Sequence, residues 1–253
     1  MHTVDTIMTI TKLRVHIAPV GFEVDRIVLP AIEMKADKVW LLVHDNPNDD
    51  RAKSFENEIK RQFKKSKISV EEIQTNRKDI FKILQSVKEI IKKEQQNDIY
   101  VNSSSGSKIQ AIACMMACMM FNENNNLTPY YAEPEKYPVG KEKQQSIGLK
   151  NILELPRYQI FIPKQELIQA LRIIKENNGR ISKKEMARIA EQEKIIIVNA
   201  REENFEQARF ASLDKNIIQP LVDEWHFVEI EKIGRTRWIK LTTEGNNAIK
   251  FLI

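Results

Sequence analysis

The run Asp98-Ile-Tyr-Val-Asn102-Ser103-Ser104-Ser105-Gly106-Ser107-Lys108, continued at once by the apolar stretch Ile109–Phe121, decides how the first half of the chain folds. A short strand-type run breaks into a bend of small residues and re-forms with helical character, the junction expected where helices cover a parallel sheet. The same alternation recurs on both sides. Strands are expected at Leu13–Ala18, Val39–His44, Ile68–Gln74, Asp98–Val101 and Thr128–Ala132, with helices around Phe22–Lys35, Asp50–Lys64, Lys78–Glu94 and Ser107–Phe121. In the third helix Ile80, Ile83, Leu84, Val87 and Ile91 recur at three- and four-residue steps, while Lys82, Lys88, Lys92 and Lys93 fall on a solvated face.

Further along, Pro134, Pro138, Gly140, Gly148 and Pro156 bracket the charged stretch Lys141-Glu-Lys-Gln-Gln145, which reads as a turn or hairpin followed by a last strand at Ile147–Leu155. A domain boundary is placed near Pro156–Pro163, giving a Rossmann-like α/β domain at 1–157 and a second domain at 158–253. In the second half Leu167, Leu171 and Ile174 mark a helix stopped by Asn177-Asn178-Gly179. Ser182-Lys-Lys-Glu185 is a capping box opening another, with Met186, Ile189 and Ala190 on its apolar side. A third helix runs from about Glu206 to Asp223 on the stripe Phe210, Leu213, Ile217 and Leu221, with Pro220 set to kink or shorten its end. Phe227–Ile233, the turn Gly234-Arg235-Thr236 and Arg237–Leu241 form a hairpin with a basic tip. That order is the winged helix-turn-helix order.

With 253 residues, 42% hydrophobic and 30% charged, the chain can bury a sizeable core and is not disordered. The charge sum, 40 − 35 = +5, is compatible with an anionic partner without demanding one. Two cysteines supply no disulfide framework, residues Met1 to Lys12 lack a signal-peptide pattern and no apolar run approaches about 20 residues, so a cytoplasmic protein with no membrane partner is expected. Asn124–Asn126 is read as a short polar loop.

The bend at Asn102–Lys108 suits a phosphate: small residues expose N–H groups and hydroxyls, the following helix presents its positive end, and Lys108 adds a full charge. Gly106 permits a left-handed turn and close approach of a ligand. The plain alternative is a loop closed by a serine N-cap. Neither a Walker A loop nor a Gly-x-Gly-x-x-Gly fingerprint is present, so no cofactor is expected. Ala18-Pro19-Val20-Gly21-Phe22-Glu23-Val24-Asp25-Arg26 would line the same edge of the sheet and bring residues 19–23 toward 102–108, with Gly21 equally able to serve as a turn residue. His16 and His44 read as core or rim histidines before catalysts, and no residue is assigned a catalytic role. Cys114 and Cys118 have helical spacing, yet without clustered histidines they read as packing against the sheet or a second subunit and not as metal ligands.

Pro19-Val20-Gly21-Phe22, the Asn102–Lys108 bend and the trailing winged helix together resemble the CRISPR-associated Rossmann-fold (CARF) transcriptional regulators of archaea. The resemblance implies a homodimer that binds a cyclic oligoadenylate, cyclic tetra-adenylate foremost, across its twofold axis. Asn102, Ser103, Ser104, Ser105, Gly106, Ser107 and Lys108 would hold phosphates and sugars, while Pro19, Val20, Gly21 and Phe22 would line bases. Some members of that family cleave their messenger, so a ring nuclease is the alternative from another class.

For double-stranded DNA the third helix offers Gln207, Arg209, Ser212, Lys215, Asn216 and Gln219, and the wing offers Arg235, Thr236 and Arg237, flanked by Lys232 and Lys240. Lys194–Asn204 is longer than the usual turn before a recognition helix, and is expected to extend the second helix or to form an apolar patch. Winged helices also serve protein contacts alone, which is the third reading.

Overall fold

The computed structural model describes residues 11–46, 50–123, 126–138 and 144–253. Met1–Ile10, the loop residues Asn124 and Asn125, and Gly140 with Lys141–Lys143 of the expected charged turn lie outside them. The chain divides into two compact units between Ile160 and Phe161.

In the first unit β1 (Arg14–Pro19), β2 (Lys38–His44), β3 (Ser69–Thr75), β4 (Asp98–Asn102) and β5 (Leu127–Glu133) are parallel, and β6 (Asn151–Glu154) is antiparallel to β5. The order β3-β2-β1-β4-β5-β6 is Rossmann-like. Between the strands run α1 (Asp25–Glu33), α2 (Lys53–Lys65), α3 (Ile80–Lys93) and α4 (Lys108–Met120). β1 and β2 read as near-continuous apolar runs because both faces of the central sheet are covered: Val15, Ile17, Val39, Leu41 and Leu42 are all fully buried. Helix α3 starts at Asp79, whose carboxylate accepts the N–H groups of Phe81 and Lys82 at 3.0 and 3.3 Å. Helix α1 has no such residue at its start. Gln144 Oε1, far along the chain, takes the N–H groups of Val24 and Asp25 instead.

The second unit is a winged helix domain: α5 (Gln165–Glu176), β7 (Arg180–Ser182), α6 (Lys183–Gln192), α7 (Phe205–Leu213), β8 (Val228–Ile233), β9 (Thr236–Leu241) and α8 (Thr243–Leu252). Its sheet has the antiparallel order β7-β9-β8. Leu167, Leu171, Ile174, Met186, Leu213, Ile217, Leu221, Ile239 and Ile249 form its core. Asn178 (φ 58°) and Gly179 (φ 76°) reverse the chain after α5 as the Asn-Asn-Gly stop requires. Ser182 Oγ caps Glu185 N–H at 3.2 Å, but the Glu185 carboxylate pairs with Arg188, so the expected box is only half made. Pro220 does not shorten the third helix, whose helical turns run on to Glu224. The chain continues beyond α7 in wide π-type turns, Asp214–Ile218 and Pro220–Glu224, and Trp225 N–H reaches back five residues to Pro220 O at 3.1 Å. Neither β7 nor α8 follows from the sequence pattern. Among the described residues no helix is long and apolar enough to cross a membrane.

Candidate functional site

Strand order reverses between β1 and β4, and in an open α/β sheet ligands settle outside the carboxyl ends of the strands at such a reversal. Two bends meet there, residues 19–24 after β1 and 103–107 after β4. They touch through glycine. A Cβ on Gly21 would lie 2.9 Å from Gly106 Cα, and one on Gly106, whose φ is +77°, would lie 2.6 Å from Pro19 Cβ.

The second bend is closed by its own side chains. Asn102 is fully buried; its Nδ2 donates to Arg26 O at 2.8 Å, and its Oδ1 accepts from both the N–H and the hydroxyl of Ser104. Ser105, 2% exposed, donates from Oγ to Pro19 O at 2.8 Å. Ser107 caps α4: its Oγ accepts Gln110 N–H at 3.2 Å while Gln110 Oε1 accepts Ser107 N–H at 2.9 Å, a reciprocal capping box. This corrects the expected division of labour. Ser105 ties the two bends together, Asn102 ties the second bend to α1 and Ser104 closes on Asn102, so these polar groups are engaged within the protein. Pro19, Val20 and Gly21 are likewise buried, and only Phe22 of that loop is exposed, its ring meeting that of Phe55 edge-on at 5.7 Å.

What remains available is main chain and one lysine. A helix begins with four N–H groups that lack intrahelical partners. The capping box takes those of Ser107 and Gln110, leaving those of Lys108 and Ile109 at the positive end of α4. Lys108 is exposed beside them, and Ser103 Oγ and Gln110 Nε2 are buried without a partner among the described residues. Gly106 keeps the bend free of a side chain. Such a group of donors suits an anion. Beside Phe22 and Phe55 opens a cavity of about 650 Å³ lined by Val24, Ser54, Phe55, Glu58 and Gln144.

Gln110, Gln144 and Ser146 escaped the sequence reading of this edge, while Glu23 and Arg26 fall in the loop it placed here without a role. Gln110 carried a visible signal, since Ser107-x-x-Gln110 is a capping-box spacing. Arg26 is 6% exposed; its Nε donates to Ala132 O at 3.0 Å and its guanidinium lies 4.7 Å over the Tyr131 ring. Glu23 Oε1 stands 3.5 Å from Arg26 Nη1 and accepts Ser146 Oγ at 2.8 Å. Nothing local to Gln144 or Ser146 announces that role.

His16 is a core histidine. Its ring stacks on Tyr100 at 5.0 Å and its Nδ1 shares a hydrogen bond with Tyr130 OH at 3.1 Å. Burial, with a smaller contribution from Arg14, pushes its pKa down to about 3. His44 Nδ1 accepts Asn46 N–H at 2.9 Å at the end of β2. Cys114 and Cys118 are fully buried, and burial pushes the Cys114 thiol up to about 12. No metal-ligating cluster of His, Cys, Asp or Glu occurs among the described residues. On the outer side of α4, Ile109 and Ile112 are exposed.

In the winged helix, Gln207, Lys215, Asn216 and Gln219 are exposed on the third helix, and Arg235, Thr236 and Arg237 are exposed at the hairpin tip. Arg209 is not available in the way expected. Its side chain is 12% exposed and gripped by Glu191 at 3.1 Å and by Glu206, bonds that raise its pKa. Ser212 Oγ donates to Ile197 O at 3.1 Å and accepts from Asn216 Nδ2. The long segment 194–204 does not extend α6: Lys194 turns the chain with φ 58°, Ile195 and Ile196 enter the core, and Glu202–Asn204 makes one 3₁₀ turn before α7. Ile197 is left exposed.

Comparison with known proteins gives two family matches. Residues 14–137 match the model described as HFX_2341_N-like, N-terminal, and residues 166–253 match the DUF6293 C-terminal winged helix domain. An uncharacterized protein of Methanocaldococcus jannaschii is 31% identical over 205 residues, 71% of this chain and 61% of that protein. Among solved structures, Can2 from Sulfobacillus thermosulfidooxidans in complex with cyclic tetra-adenylate aligns with TM-score 0.40 and 17% identity, over 94% of this chain and 63% of that one. Enterococcus italicus Csm6 bound to cyclic hexa-2′-fluoro-hexa-dAMP aligns with TM-score 0.43 and 10% identity, over 85% and 56%. The chain thus spans less than two thirds of each of these proteins, and at such TM-scores the likeness to the two structures carries no functional weight.

Proposed function

We propose, from the match of residues 14–137 to the HFX_2341_N-like N-terminal model and of residues 166–253 to the DUF6293 C-terminal winged helix domain, that the chain is a messenger-controlled DNA-binding regulator of CARF type. The first domain takes a cyclic oligoadenylate at the β1/β4 reversal, and the second holds double-stranded DNA. The observation that carries the reading is the start of α4: a capping box that leaves two N–H groups and the Lys108 ammonium at the edge where a ligand of such a sheet settles. Phe22 supplies an exposed ring for stacking on a base.

The protein works as a homodimer in this reading. Ile109 and Ile112, one helical turn apart on the outer side of α4, give a second copy an apolar strip that continues directly from the ligand edge. Control requires that the messenger bind two arrangements of the dimer with different affinity. No turnover is assigned to the site: His16, the nearest imidazole in sequence to the β1 bend, is buried with its Nδ1 bonded to Tyr130. Incubation with cyclic tetra-adenylate followed by chromatography tests this directly. Recovery of intact ring agrees with a sensor, and accumulation of linear products makes the protein a ring nuclease.

A further inference from the structure

The winged helix distributes its charge unevenly. From Lys232 to Trp238 the hairpin tip reads Lys-Ile-Gly-Arg-Thr-Arg-Trp, three cations and no acid. The two acids on the hairpin, Glu229 and Glu231, are taken up by Lys240 and Arg180, which leaves Lys232, Arg235 and Arg237 exposed and without ion pairs among the described residues. The leading end of the third helix is the opposite. Glu202, Glu203 and Glu206 are exposed there, and Arg209, the basic residue within its first two turns, is pinned between Glu191 and Glu206. With the neighbouring start of α6 included, Lys184, Arg188, Arg201 and Arg209 stand against Glu185, Glu191, Glu202, Glu203 and Glu206, a balance of −1.

In a helix-turn-helix that reads the major groove, the N-terminal residues of the recognition helix approach the base edges between two rows of phosphates. A net negative cluster at that end is repelled by the duplex, whereas an acid-free basic tip is drawn to it and releases counterions on contact. We infer that this domain grips DNA wing first: Lys232, Arg235 and Arg237 on the hairpin tip carry the phosphate contacts, and the leading turn of α7 stays out of the major groove. The partner is duplex backbone recognised with little sequence preference. This inference rests on the DNA-binding reading above and specifies which surface performs it.

The test is fluorescence anisotropy of the full chain with two unrelated labelled duplexes, with and without cyclic tetra-adenylate, from about 50 to 200 mM salt. Arg235→Ala with Arg237→Ala should weaken both duplexes alike and reduce the slope of log affinity against log salt by about 1.8 for two lost phosphate contacts. Gln207→Ala with Lys215→Ala should change affinity by about twofold or less in the same assay. Glu202→Gln with Glu203→Gln should tighten binding. Loss of binding in the helix pair with an unaltered wing pair, or weaker or unchanged binding after removal of the two acids, overturns the wing-first mode while leaving DNA binding intact. Failure of the unaltered protein to retain either duplex overturns DNA binding itself and turns this face toward a protein partner.

Discussion

The bend after β4 and the tip of the β8–β9 hairpin are both short, polar and centred on a glycine, yet they use their polar groups in opposite ways. In the bend, Asn102, Ser104 and Ser105 are buried where two loops meet, and each must find a partner inside the protein or leave a desolvated group unpaired. At the hairpin tip a Cβ added to Gly234 would meet nothing within 4 Å, and Arg235 and Arg237 stand in solvent. In the proposed function, recognition at the first region is therefore left to main-chain N–H groups and Lys108, and at the second to side chains. Changes in the bend should fall on stability, and changes at the tip on binding.

The sharpest separation is between the two glycines. Gly106→Ala should cost about 3 kcal/mol in urea unfolding of the first domain, because a left-handed φ and a contact at 2.6 Å act together. Gly234→Ala, with a similar φ but open space, should cost about 1 kcal/mol in the second. Equal losses would break the comparison. Next in size is a dependence on pH. His16 titrates near 3 when folded and near its ordinary 6.5 when unfolded, so the unfolded chain binds the proton first and stability falls with acidity between those values. Between about pH 6 and pH 4.5 the first domain should lose about 2 kcal/mol through this group. In His16→Gln that portion of the slope should vanish; an unchanged slope would place the titration elsewhere. Ser105→Ala, which leaves Pro19 O without its donor, should cost about 1–2 kcal/mol in the same unfolding experiment. Arg235→Ala and Arg237→Ala should stay within about 0.5 kcal/mol of the unaltered protein, as exposed tip residues do.

Where strands are central, the sequence reading lies within a residue or two of the structure, because both faces of β1, β2 and β4 are covered and the apolar runs are continuous. Elements made by pairing rather than by pattern were not legible. β7 is three residues long and exists through Arg180–Ser182 lying against β9. α8 shows only Ala248, Ile249 and Leu252 as its buried apolar side, interrupted early by Gly245, which is needed because a Cβ there would meet Phe227 O at 2.0 Å. The two bends that the sequence reading brings together do meet, and the bonds their side chains make were not legible. A serine that staples a buried bend and a serine that faces a phosphate have the same spelling, and only the position of Pro19 and Asn102 distinguishes them. Likewise Arg209 looks like a DNA contact until Glu191, eighteen residues earlier, is found beside it.

The central claim is that a messenger anion is held by the start of α4 and not by the buried serines. Calorimetric titration of cyclic tetra-adenylate into the unaltered protein and into Lys108→Ala tests it most directly. The account predicts binding by the unaltered protein, affinity lower by about tenfold in the variant for one lost charge-assisted contact, and unfolding midpoints that coincide. Equal affinities in the two proteins, or no heat of binding in either, would contradict it.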